Sequence, residues 1–139
     1  MTTALLTRLI FVGGLIHFSI LVASSLVPFR LNWREDLASL PRLHRQMYWT
    51  YGGYVVLSIV AFGCISVSCP AELAARSPLA RAFCGYVFVF WLVRLPLQAV
   101  FDVKPHLTTW WLRWGYRLLS VLFAVLVLIY GWVAVGPVR

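Results

Sequence analysis

The chain has 139 residues, 62% hydrophobic and 12% charged, with a formal net charge of +8 and a mean hydropathy of +0.87. A soluble domain is about half apolar and about a quarter charged, and one of this length has too little interior to bury so much apolar surface. Disorder is excluded by the same composition, and three cysteines do not make a disulfide-stapled secreted domain, which leaves the bilayer as the solvent.

Crossing a bilayer as a helix takes about 20 largely apolar residues. Leu5 to Val27 is the first such run, interrupted by Arg8 and His17. A removable signal peptide competes for this stretch, with Ala23-Ser24-Ser25 as the small-residue cleavage site, but the run is too long and has His17 at its centre. In the connection that follows, Asn32 and Glu35 have capping-box spacing. Leu31, Trp33, Leu37 and Leu40 alternate with Arg34, Glu35 and Asp36, which predicts a short amphipathic helix in the headgroup layer, ended by Pro41.

Tyr48 to Val67 is a second run without charge. The next connection, 68–81, holds Pro70, Glu72, Arg76 and Pro78, and its Ala-Glu-Leu-Ala-Ala core predicts another short surface helix. Ala82 to Phe101 is the third run and carries Arg94 and Gln98. After Lys104, Pro105 and His106, Thr108 or Thr109 is placed to cap the fourth run, Leu112 to Val135, whose charges are Arg113 and Arg117. Trp110, Trp111 and Trp114 suit an aromatic belt. The expected fold is therefore an all-α integral membrane protein. It is a single four-span domain over 1–139, with spans near 5–27, 48–67, 82–101 and 112–135 and an interfacial helix in the first connection. Gly13, Gly14, Gly52, Gly53 and Gly85 are the expected points of close backbone approach.

Basic residues near span ends set orientation. Arg30, Arg34, Arg42, Arg45, Lys104, Arg113 and Arg117 lie on one side and Arg8, Arg76, Arg81 and Arg139 on the other. That bias places both termini outside a bacterial-type inner membrane and the first and third connections in the cytoplasm. Scattered over both faces, these residues serve insertion and contact with anionic lipid; no contiguous patch tracks a nucleic acid.

Ionisable groups inside a span cost about 3 kcal/mol or more at the bilayer centre, and His17 and Arg94 are the two found away from span ends. His17 lies ten residues before Val27 and Arg94 eight before Asp102, or ~15 and ~12 Å along helices that run the same way. Arg94, Gln98 and Asp102 form one helical stripe, and Tyr51, Tyr54 and Ser58 another that starts near His44 and Gln46. Gly13, His17 and Ser24 line up on the first span, and Arg113, Arg117 and Ser120 on the fourth. Together they predict a cytoplasm-facing cavity lined by His17, Tyr51, Tyr54, Arg94 and Gln98, with His44, Gln46, Asp102 and Arg117 at its mouth. Arginine offers a forked donor to carboxylate or phosphate, and Tyr and His add further donors. A polar core that only locks helix register is the structural alternative.

Other chemistry is less well supplied. Bis-histidine haem needs two facing histidines; only His17 is deep, and His44 and His106 could meet only at a surface. No His and carboxylate spacing supports a metal site. Cys64, Cys69 and Cys84 fall near one surface, where a structural disulfide is expected to be able to form, but they lack the Cys-x-x-Cys pair of a thiol oxidase. The plan resembles that of small multidrug exporters and fluoride channels. No span interior carries an acidic residue, however, and the threonine-rich broken helix is missing. No motif names a reaction or requires a cofactor. The leading expectation is a non-enzymatic membrane protein that binds an anionic amphipath, a lipid headgroup or quinone, with membrane lipid and a membrane-protein partner or second copy as its company. It would serve as an accessory subunit of a larger complex. The alternatives are a small enzyme acting on a lipid or quinone and an oligomeric anion pore.

Overall fold

Apolar residues surround each long run instead of forming one stripe, the pattern of helices that face protein on one side and lipid on the other. The computed structural model describes residues 2–30, 33–100 and 109–137. Its long helices are α1 (Thr3–Arg30), α3 (Arg42–Ser68), α5 (Pro78–Val100) and α6 (Trp110–Val135), with short helices α2 (Trp33–Asp36) and α4 (Pro70–Ala74) between them. All four long helices are long and apolar enough to cross a membrane. At ~1.5 Å per residue the 27 residues of α3 reach ~40 Å, beyond a hydrocarbon core of ~30 Å. The protein is an all-α four-helix membrane bundle. α3 starts at Arg42 and not Tyr48, and α5 at Pro78 and not Ala82, because hydropathy marks the hydrocarbon crossing while the helix continues into the headgroups.

The connections differ from expectation in detail. α2 gives way to a 3-10 turn over Leu37–Ser39, so the helical stretch in the first connection is short and broken. Pro41, with φ −50° and ψ 143°, is the N-cap of α3, where its missing N–H costs nothing. Leu31 and Asn32, and with them the capping box, lie outside the described residues. α4 forms where the Ala-rich segment predicted it, with Pro70 in its first turn. One face of it is packed, with Leu73 and Ala74 buried and α4 against α1, while Ala71 and Glu72 are exposed. Thr109 occupies the N-cap of α6 in extended conformation, but its side chain makes no capping hydrogen bond; Thr108 lies outside the described residues.

α1 packs on α3 and on α6, and α5 packs along α6, giving two antiparallel pairs set side by side. The α1–α3 approach is close. A Cβ on Gly14 would lie 2.7 Å from Val67 Cγ2 and 3.1 Å from the Gly63 carbonyl, and one on Gly63 2.9 Å from the Phe18 ring. Gly13 sits beneath the Tyr130 ring. Gly52 and Gly53 instead face open space, and Gly85 meets only Ala134 at 3.8 Å, so these three are not points of close approach.

The core occupies one end of the bundle. Its members are Leu6, Ile10 and Ile20 of α1, Ile59 and Phe62 of α3, Leu73 and Ala74 of α4, Ala80, Cys84, Val87 and Trp91 of α5, and Phe123 to Val133 along one face of α6. At the other end, every residue of α3 from Arg42 to Leu57 except Arg45 is exposed. α5 from Leu92 to Leu97 and α6 from Trp110 to Leu118 are also largely exposed. The bundle thus has a packed half, holding the N-terminus of α1 and the C-terminus of α6, and an open half where α3 stands apart.

Arginines tie the packed end shut. Arg76, in the turn after α4, has φ 57°, a left-handed conformation that costs a branched-off side chain about 1 kcal/mol or more. Its guanidinium donates to the carbonyls of Pro137 at 2.6 Å and Trp132 at 3.3 Å, and Arg81 Nε donates to Ala134 at 3.0 Å. These carbonyls belong to the last turn of α6 and the segment just past it, where partners are missing and the helix dipole is negative.

Candidate functional site

The expected polar cluster is divided between the two halves. His17 is fully buried in the packed half, and Trp91 is 1% exposed. Trp91 Nε1–H donates to His17 Nε2 at 3.0 Å. An indole can only donate, so Nε2 is unprotonated and the imidazole proton is on Nδ1, which donates to the Gly13 carbonyl at 2.7 Å. Rings of Phe62, Trp91 and Tyr130 stand edge-on around the imidazole at centroid distances of 5.9, 5.5 and 5.6 Å. Beside it, the Ser66 and Tyr130 hydroxyls share a hydrogen bond of 2.6 Å.

These two bonds have one architectural result. His17–Trp91 joins α1 to α5 and Ser66–Tyr130 joins α3 to α6, so both stitch the α1–α3 pair to the α5–α6 pair. Interhelical hydrogen bonds contribute ~0.6 kcal/mol each on average in a membrane. Their larger contribution is to register, since a one-residue slip would leave four buried polar groups without partners. Both imidazole nitrogens are engaged, which leaves His17 no donor atom for a ligand or an axial metal bond. His17 has no exposed surface. Trp91, Ser66 and Tyr130 were missed at the sequence level. Cys84, Val87, Trp91 and Gln98 follow one heptad-like stripe on α5, and that spacing was the available signal for Trp91.

In the open half, Tyr51 and Tyr54 are 60% and 64% exposed, and neither hydroxyl makes a hydrogen bond among the described residues. Ser58 Oγ donates to the Tyr54 carbonyl within its own helix, at 2.9 Å. Arg94 is exposed although it lies on the stripe between buried Trp91 and buried Gln98. Arg113 and Arg117 are exposed on α6, and the Arg117 guanidinium lies 6.0 Å from the Trp114 ring. His44 and Gln46 are exposed at the start of α3. Asp102, Lys104 and His106 lie outside the described residues.

Gln98 joins α5 to α6. Its Nε2 donates to the Tyr116 carbonyl at 3.2 Å and to Ser120 Oγ at 3.0 Å, while the Tyr116 hydroxyl donates to the Gln98 carbonyl. This reciprocal pair holds α5 to α6 just past Pro96, the proline inside α5, whose missing N–H leaves the carbonyl four residues earlier unbonded. Gln98 Oε1 is buried and unpartnered among the described residues.

The disulfide that the three cysteines made possible is not present. Cys64, Cys69 and Cys84 are free thiols; Cys64 and Cys69 are exposed while Cys84 is buried. Cys84 is a core residue turned inward with Val87 and Trp91, so nearness to one surface does not bring it to the other two. Among the described residues no group of three His, Cys, Asp or Glu side chains is assembled to hold a metal. Trp110, Trp111 and Trp114 are exposed together and touch one another, with ring centroids 5.2 and 5.7 Å from Trp110, as an interfacial belt requires.

Arg94 on α5, Arg117 on α6 and Tyr51 and Tyr54 on α3 are all exposed at the open end of the bundle. No protein-family model, curated protein or solved structure matches this chain.

Proposed function

We propose that the protein is a non-enzymatic inner-membrane protein that binds the anionic end of an amphipath in its open half and acts as an accessory subunit of a larger membrane complex. The observation that supports this reading is that Tyr51, Tyr54, Arg94 and Arg117 are exposed within membrane-spanning helices at the open end. Such groups are expensive in hydrocarbon and mark functional surfaces. The basic bias of the first and third connections turns the open half toward the cytoplasm and both termini outside.

The test is thermal unfolding in dodecyl maltoside with added phosphatidylglycerol, phosphatidylcholine or a short-chain quinone. A ligand at 100 times its dissociation constant stabilises by about 2.7 kcal/mol, so a selective rise with the anionic lipid or the quinone is expected. Arg94→Leu removes that response under this reading. If Arg94→Leu instead raises stability and leaves every response unchanged, the polar residues are structural and the reading fails.

A further inference from the structure

We infer that the His17–Trp91 hydrogen bond is a proton-sensitive joint: a proton added at His17 Nε2 parts the α1–α3 pair from the α5–α6 pair. The joint is independent of any ligand in the open half, and geometry carries it. Trp91 Nε1–H points at Nε2 from 3.0 Å, and an indole has no acceptor to offer in exchange. Nδ1 already donates its proton to the Gly13 carbonyl at 2.7 Å. A protonated imidazole carries N–H at both nitrogens, so Nε2–H and the Trp91 N–H would face each other with no acceptor between them. His17 and Trp91 are 0% and 1% exposed, so water cannot relieve that clash while the pairs are closed.

The surroundings supply no negative charge. α3 presents the Phe62 ring, and Ser66 is bonded to Tyr130. α5 presents Trp91, with Cys84 seven residues earlier on the same stripe, and α6 presents Tyr130. Thiol and phenol both stay neutral in acid. On α1 itself, Arg8 is nine residues earlier and exposed. The four carboxylates of the chain, Glu35, Asp36, Glu72 and Asp102, all fall outside the four long helices. Among these groups, His17 is the one whose charge changes between neutral and acid pH.

One polar bond can matter at such a junction. In lipid, apolar contact between helices has no hydrophobic advantage over contact with acyl chains, so packing and hydrogen bonds hold helices together. Across this junction Phe62 packs against Phe83, Tyr86 and Phe90, and the Ser66–Tyr130 and His17–Trp91 bonds join the pairs. Opening admits water to the imidazole, which then takes a proton near its ordinary value of ~6.5, while the closed form has no place for one. Acid therefore favours the parted form by mass action. The closed form is favoured above that value and loses population as the pH falls below it.

Cys84 is a native reporter, a free thiol buried in this core. The full chain with Cys64→Ser and Cys69→Ser, in dodecyl maltoside, is treated with 4,4′-dithiodipyridine from about pH 8 to about pH 5, the range in which an imidazole changes charge. Each rate is divided by that of the denatured chain at the same pH, which removes the thiol's own pH dependence. Loss of one buried hydrogen bond predicts a rise of about tenfold on acidification, from a slow rate at neutral pH. His17→Gln keeps an acceptor for the indole that does not titrate, so its rate stays slow throughout. Trp91→Phe removes the facing donor and the bond together, so its rate is fast at neutral pH and does not rise in acid. His44→Gln, at the exposed start of α3, keeps the full rise. A flat profile in the parent chain overturns the joint. A rise that survives His17→Gln overturns it by assigning the response to another group. A rise that survives Trp91→Phe overturns it by showing that charge, and not the facing indole, sets the response.

Discussion

The end of the bundle that holds Ile10, Phe62, Trp91 and Tyr130 and the end that holds Tyr54, Arg94 and Arg117 are built from the same four helices, yet they use polar residues in opposite ways. At the first end, glycines at 14 and 63 let α1 and α3 close, and every polar atom of His17, Trp91, Ser66 and Tyr130 finds a partner. At the second end α3 buries nothing before Ile59, and Gly52 and Gly53 face open space. The comparison teaches that a glycine or a tyrosine in a membrane helix has no fixed meaning. The same residue type closes a contact where a neighbour is present and stays exposed where one is absent.

The largest effect should come from forcing the packed half open. Gly14→Leu places side-chain atoms where Val67 and the Gly63 backbone already stand and should cost about 3 kcal/mol of overpacking strain, read by reversible unfolding in bicelles. Gly53→Leu should cost less than about 0.5 kcal/mol in the same assay, as surface substitutions do. Equal losses at the two sites would erase the distinction between the halves.

Next comes Trp91→Phe, which keeps the ring but strands His17 Nε2. A buried acceptor left unmade costs about 1–3 kcal/mol, and the loss of the hydrogen bond to Nε2 should shift the His17 Nε2 resonance in nitrogen-15 NMR. Tyr130→Phe and Ser66→Ala should each cost about 1 kcal/mol, and the double variant less than their sum, since the two remove one shared bond. Full additivity would mean that the 2.6 Å contact does not couple them.

The smallest change in stability belongs to the open half and to reactivity. Arg94→Leu should shift unfolding by no more than about 0.5 kcal/mol while removing the response to anionic lipid. In sealed vesicles, Cys69 should react with a membrane-impermeant maleimide from the side of the termini alone, and Cys84 only after unfolding, since it is buried in the core. Labelling of Cys69 from the opposite side would reverse the proposed orientation.

Much of the architecture was legible in composition. Four apolar runs, punctuated by Pro41, Pro70 and Pro78, mark the helices, since a chain in lipid must satisfy its backbone within each segment. The candidate site was legible only in part. His17 and Arg94 lie at similar depths, and that depth invites one cluster. Helix rotation, which depth does not report, turns His17 toward Trp91 and leaves Arg94 exposed. Gln98, read from the sequence as a lining residue, also ties α5 to α6 through Tyr116 and Ser120, a contact its place on α5 did not announce.

The sequence by itself determined the solvent, the fold class and the run of the helices, because hydropathy and backbone hydrogen bonding are local properties of each segment. Only the tertiary structure decided which polar groups meet. His17 with Trp91, Ser66 with Tyr130 and the free thiols at 64, 69 and 84 depend on helix rotation, on the spacing that Gly14 and Gly63 allow, and on where α3 separates. Those are relations between segments far apart in the chain, and in lipid no hydrophobic stripe on each helix marks them in advance, since its apolar neighbours and the surrounding lipid tails look alike to a side chain.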